Sequence, residues 1–178
     1  GDTMAKHVEC TFSARNDQLD YASELGRTIS AMCFEPVIAH GVSALRAAKN
    51  QEVSDDLEQI IQNILISTGS VSLLVHPDYN SALAHALFYG LTVREHIEKN
   101  HLHGEVVSYG TLVQLILQNA CMDELAEVLN FCESVGLPTT LADLGIKEVN
   151  KEQIMEVAKL ACAEGDTLHN MPFPVDPD

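Results

Sequence analysis

The chain has 178 residues, 46% hydrophobic and 5% aromatic, and its 26 acidic against 10 basic side chains give a formal charge of −16. That apolar fraction excludes wholesale disorder, and the length predicts one domain over residues 1–178. The charge argues against nucleic acid and anionic membranes as partners. No apolar run reads as the roughly 18–20 residues of a bilayer span, and the N-terminus lacks the order of a signal peptide.

In chain order, residues 2–15 read as a helix. Residues 17–48 are Ala-rich and amphipathic, with Gly26, Pro36 and Gly41 expected to break them into two helices. Asp55 is the expected cap of the next helix, with Glu58 completing a capping box. Leu57, Ile60, Ile61, Ile64 and Leu65 form its apolar face. Val71 to Val75 is the one β-leaning run, and it is too short to be a convincing strand. Helices follow over 81–98 and 104–119. Leu125, Val128, Leu129, Cys132 and Val135 mark another, stopped by Gly136 and Pro138. Asn150 with Gln153 opens a last one carrying Ile154, Val157, Ala158 and Ala161, with its end at Gly165. The pattern predicts an all-α helical bundle with short connections. Residue 1 is not Met, and Val175-Asp176-Pro177-Asp178 reads as a helix start, so a piece of a longer protein is expected.

Cys10, Cys33, Cys121, Cys132 and Cys162 are scattered and form no CxxC. They read as reduced thiols of a cytoplasmic protein and speak against a Cys-rich zinc site. Of eight histidines, two stand out. His85 lies among apolar residues in Ser81-Ala-Leu-Ala-His-Ala-Leu-Phe88. It is either a core histidine with one hydrogen-bonded nitrogen or a metal ligand. His103 precedes Gly104-Glu105 at a helix start, where it is either a loop histidine or a second ligand. Glu98-x-x-His101 lacks the second motif and the further Glu residues of a di-iron bundle. Asp166-x-x-His169 reads as loop chemistry. There is no HExxH, no Gly-rich phosphate loop and no GxSxG.

Longer segments resemble one family. His103-Gly-Glu-Val-Val-Ser-Tyr-Gly110-Thr-Leu-Val-Gln-Leu resembles the HGE-x-V-x-x-G-x-L-x-Q-L segment of glycerol dehydrogenases. These belong to the iron-containing alcohol dehydrogenase and dehydroquinate synthase-like superfamily. Gly136-Leu-Pro-Thr-Thr-Leu-Ala-Asp-Leu144 is similar to that family's GLP-x-T-L-A-x-L. Ala161-Cys-Ala-Glu-Gly-Asp-Thr-Leu-His-Asn-Met-Pro172 is similar to ACAEGET-I-HNMP. Gly1-Asp2-Thr-Met-Ala-Lys6 resembles the end of GIGD-x-x-A-K/T.

The resemblance implies the C-terminal helical, metal-binding domain of a two-domain dehydrogenase. Its N-terminal NAD- or NADP-binding domain and its final helix would lie outside this chain, which alone would be inactive. The implied metal ligands are Asp2, His85 and His103, with no further catalytic residue and no cofactor-binding residue here. Zinc is the implied metal, with iron an alternative. The iron-type branch carries a further His where this chain has Lys6, and His7 is one step off. His76 stands where the family has a substrate-pocket Phe, and Phe88-Tyr89-Gly90 replaces H-N-G. The implied reaction is oxidation of a polyol, glycerol to dihydroxyacetone, by hydride transfer in a homo-oligomer. Two alternatives stay open. One is a hydroxycarboxylate or sugar-phosphate substrate, for which Lys6 and Lys99 are the nearest cations. The other is a non-catalytic helical interaction domain.

Overall fold

The structure is a computed structural model and describes residues 1–177. Helices run α1 (Asp2–Ser13), α2 (Tyr21–Ile29), α3 (Glu35–Lys49), α4 (Asp55–Gln62), α5 (Thr68–Leu74) and α6 (Pro77–Asn80). They continue as α7 (Leu83–Thr92), α8 (Glu95–Asn100), α9 (His103–Leu117), α10 (Met122–Val135) and α11 (Lys151–Ala161). No strand occurs among the described residues, and the β-leaning run falls in and just after α5, with Val71 fully buried. Val175 to Pro177 of the expected helix start form no helix, and Asp178 lies outside the described residues.

One apolar core joins Met4 and Val8 of α1 to Val37 of α3, Leu112 and Leu115 of α9, and Val128, Phe131 and Cys132 of α10. A second joins Phe12 of α1 to Leu83 and Ala86 of α7, Ala161 of α11, and Leu168 and Met171. The first holds α1 to α9 and the second holds α1 to α7. Between them they fix the three helices that carry the conspicuous polar residues.

Several boundaries differ from the sequence reading. Gly26 and Gly41 break nothing. Each sits inside a helix where a Cβ would meet a neighbour, Val75 Cγ2 at 2.5 Å and the Phe131 ring at 2.7 Å. The break is a 3-10 turn at Ser30–Cys33, and Pro36 lies in the first turn of α3, where its missing N–H costs nothing. Ser54, not Asp55, caps α4, its hydroxyl accepting from Leu57 N at 3.2 Å. Glu58 therefore closes no capping box and instead accepts from Gln62 at 3.1 Å. The helix expected over 81–98 splits into α7 and α8 at Val93 and Arg94.

The predicted apolar face of α4 is the largest departure. A π turn at Asn63–Ser67 inserts one residue, so the inward positions become Asn63 and Val71 while Ile61, Ile64 and Leu65 face outward. The expectation of no membrane-length apolar run also needs correcting. Tyr21–Lys49 is 29 residues long with mean hydropathy 1.3 in its most apolar window, enough to cross a bilayer by length and composition. In this fold it is two helices, α2 packed on α5 and α3 packed on α4 and α10.

Candidate metal centre

Three helix N-termini converge: Asp2 opens α1, His85 lies in the first turn of α7, and His103 opens α9. Glycines let them approach. A Cβ on Gly110 of α9 would fall 2.5 Å from Ala84 O and 2.9 Å from Ala84 Cα, so only glycine lets α9 lie this close to α7. A Cβ on Gly104 would meet Asp2 N at 3.3 Å. Gly90 gives α7 a similar backbone approach to α11 at Val157 O.

The result is a cluster of one carboxylate and two imidazoles. Asp2 Oδ1 lies 3.3 Å from His85 Nε2 and 4.0 Å from His103 Nε2. One donor atom from each residue falls within 4.8 Å of the others. Tetrahedral zinc with bonds of about 2.0–2.2 Å separates its ligands by roughly 3.4 Å, so His103 would have to move inward toward Asp2 and His85. Asp2 Oδ1 is sealed from solvent and faces the His85 imidazole as an ion pair, without a well-formed hydrogen bond. A carboxylate oxygen facing two imidazole nitrogens is a donor set that fits a cation in place of the ring protons.

His85 is almost fully buried and is oriented from behind by Glu9, a fully buried residue of α1. Glu9 Oε2 lies 2.6 Å from His85 Nδ1, and Glu9 Oε1 accepts from Ala82 N at 2.7 Å and His85 N at 3.1 Å. Ala82 has no side chain to cap α7, so Glu9 does it from another helix. A carboxylate can only accept, so it fixes the proton on Nδ1 and presents Nε2 toward Asp2. That carboxylate–histidine relay is the usual support of a metal-bound imidazole. Gln114 completes the capping, its Oε1 accepting from Ala84 N at 3.2 Å. Neither Glu9 nor Gln114 was singled out in the sequence. The available signal was Glu9 seven residues after Asp2, on the same face of the helix.

Charges follow the geometry. The His85 imidazole holds the Asp2 carboxyl below its usual pKa against the effect of burial. Burial works to lower His85, but the Asp2 and Glu9 carboxylates on its two nitrogens overcome it and raise the pKa to about 9. Burial lowers the pKa of His103, favouring the neutral ring, and Phe88 packs edge-on against it at 4.2 Å between centroids.

The other candidates lie elsewhere. His76 is outside the cluster; its Nδ1 accepts from Asp78 N at 3.3 Å and its ring packs against Tyr79. His7 points to Ser30 Oγ at 2.9 Å. Lys99 is exposed and paired with Glu95. Lys6, by contrast, is buried beside the cluster and donates to Asn80 O and Oδ1, both at 3.1 Å. A groove of about 890 Å³ between Cys162 and Val175 contains none of the three clustered residues.

The chain matches no protein-family model. It is 44% identical over 152 residues to a glycerol dehydrogenase of Citrobacter freundii, covering 85% of this chain and 40% of the relative. It is 36% identical over 179 residues to a glycerol dehydrogenase of Thermotoga maritima, covering 98% and 48%. Its fold superposes with a TM-score of 0.87 on the crystal structure of a probable glycerol dehydrogenase from Sinorhizobium meliloti, at 30% identity, over 99% of this chain and 49% of that one. This chain belongs to the glycerol dehydrogenase family. It spans about half the length of the curated relatives it matches and corresponds to the C-terminal helical domain of the family's structures.

Proposed function

We propose that this chain is the metal-binding part of an NAD(P)-dependent, glycerol-type dehydrogenase, which oxidises a secondary hydroxyl of a polyol to a ketone. The observation that carries the reading is the convergence of Asp2, His85 and His103, one donor atom from each within 4.8 Å of the others, in a chain of this family. Asp2, His85 and His103 would hold the metal, zinc by preference, leaving a fourth position for substrate. A bound divalent metal supplies Lewis acidity that lowers the pKa of the substrate hydroxyl. Within the chain, Glu9 keeps the His85 ring oriented and its Nε2 directed at the cluster. Phe88 screens one side of His103 from water. The nicotinamide cofactor would sit on the N-terminal part of the longer protein, and a homo-oligomer in the cytoplasm completes the proposal.

The test is elemental analysis of the purified chain and of His85→Ala. About one zinc per chain, lost in the variant, is the expected result. Zinc retained undiminished by His85→Ala would sink the assignment of the ligands.

Zinc affinity should also depend on pH with a definite sign. His85 must release its Nε2 proton for a cation to bind, and that proton is held up to about pH 9. Below that pH, affinity should fall by about tenfold per unit from this proton alone, as read by chelator competition. The metal-free protein has the opposite trend. A folded-state pKa above the unfolded one gives stability that is full below about pH 6.5 and lost as pH rises through about 9. Melting temperatures of metal-free wild type and His85→Gln across that range should converge at the alkaline end.

A further inference from the structure

The two imidazoles of the cluster are held in different ways. His85 is fixed through Glu9, whose Oε2 lies 2.6 Å from its Nδ1. His103 makes no hydrogen bond from its ring among the described residues. Asp2 Oδ1 is 4.0 Å from its Nε2, and its side chain is 45% exposed. Left to itself such a side chain would turn about two bonds, and a metal would have to order it at a cost in affinity. Ring packing takes the place of the hydrogen bond. Phe88 lies three residues after His85 on the same face of α7, and helical side chains lean back toward the N-terminus. Its ring meets that of His103 at 4.2 Å between centroids, with the planes 65° apart. The His85 ring lies 5.4 Å from His103. Phe88 itself packs on Ala5, Ala84 and Val107 and also on the cluster of Leu91, Val106 and Leu144, so it is the fixed member of the pair. Ring pairs stay attractive over centroid distances of roughly 4.5–7 Å, so His103 can move inward without losing this support.

We propose that Phe88 is a positioning residue of the metal centre: its ring holds His103 in place for the cation, as Glu9 holds His85. The proposal rests on the metal-binding reading above. Phe88 acts through His103 and donates no atom to the cation. His103 is then the looser of the two imidazole ligands, and Phe88 sets how readily it lets go.

Zinc affinity, and the rate of zinc release to a chelator, are to be measured on the complete protein that contains this chain. Phe88→Leu should weaken zinc binding by about 3- to 10-fold, the equivalent of one aromatic pair, and the loss should appear as faster release. Phe88→Tyr, which keeps the ring, should stay within about twofold of wild type. His103→Ala supplies the decisive background. There Phe88→Leu should change zinc affinity by less than about twofold, because the residue it acts through is gone. Undiminished zinc binding by Phe88→Leu alone would overturn the proposal. So would an equal loss with and without His103, which would make Phe88 a packing residue of α7, or a Phe88→Tyr protein as weak as Phe88→Leu. Where Phe88→Leu fails to fold, Phe88→Met, which is unbranched and ringless, takes its place in the same cycle. A wild type that binds no zinc would bring down the metal-binding reading itself, and this proposal with it.

Discussion

Glu9→Gln is expected to fold and to lose its metal. The amide oxygen can still accept from Ala82 N and His85 N, so the α7 cap survives. The other end of the amide is an NH₂ group facing His85 Nδ1, where the wild type has an acceptor at 2.6 Å. Two donors cannot face each other, so Nδ1 becomes the acceptor and the ring proton moves to Nε2, the atom directed at Asp2. A ring in that tautomer has no lone pair to offer the metal. Zinc affinity should drop by about 100-fold, the upper range for removing such a support, with a stability loss of about 1–3 kcal/mol. Glu9→Ala differs in kind. It leaves three donors unmet in a fully buried site and should cost about 3–5 kcal/mol, enough to unfold a marginal domain. Zinc titration and chemical denaturation of both variants separate the two effects. Full zinc binding by Glu9→Gln would remove Glu9 from the metal centre and leave it a helix cap.

Gly110→Ala tests whether the packing of α7 on α9 builds the site. The added Cβ would overlap the Ala84 backbone, which cannot rotate away as a side chain could. The helices would have to part by roughly 1 Å to restore van der Waals distance. Overpacking of this kind costs about 1–3 kcal/mol, partly offset by the better helix propensity of alanine, about 1 kcal/mol. Stability should fall modestly while zinc affinity falls by about tenfold or more, because ligand distances tolerate only about 0.2 Å. Gly69→Ala is the control. Nothing lies within 4 Å of its Cβ, so it should gain about 0.5–1 kcal/mol and bind zinc as before. Unchanged zinc affinity in Gly110→Ala would show that His85 and His103 do not depend on this contact.

The helical character of the chain was legible because apolar residues recur at helical spacing through α10 and α11, and because Gly136 ends α10 with φ +80 as a helix-stopping glycine should. Asp2, His85 and His103 were legible as a set only through the family resemblance, and the fold brings all three together. The α4 face was misread because a π turn shifts the period by one residue without any mark in the local composition. Gly26 and Gly41 were misread as breakers because a glycine in a helix looks the same whether it ends the helix or admits a neighbour. Glu9 was passed over because an acid on a helix is ordinarily solvated, and nothing nearby in sequence says that an uncapped α7 lies over it.

What the sequence by itself determined is the helical class and most of the helices, since periodicity is a local property of the chain, and, through the family resemblance, the three residues of the candidate metal cluster. What the tertiary structure alone decided is how those residues work. Glu9 sits 76 positions from His85, and Lys6 sits 74 positions from Asn80. Whether a buried charge is a cap or a relay depends on which distant backbone atoms reach it. That is fixed by the packing of α1, α7 and α9 around their glycine contacts and not by any neighbour in sequence.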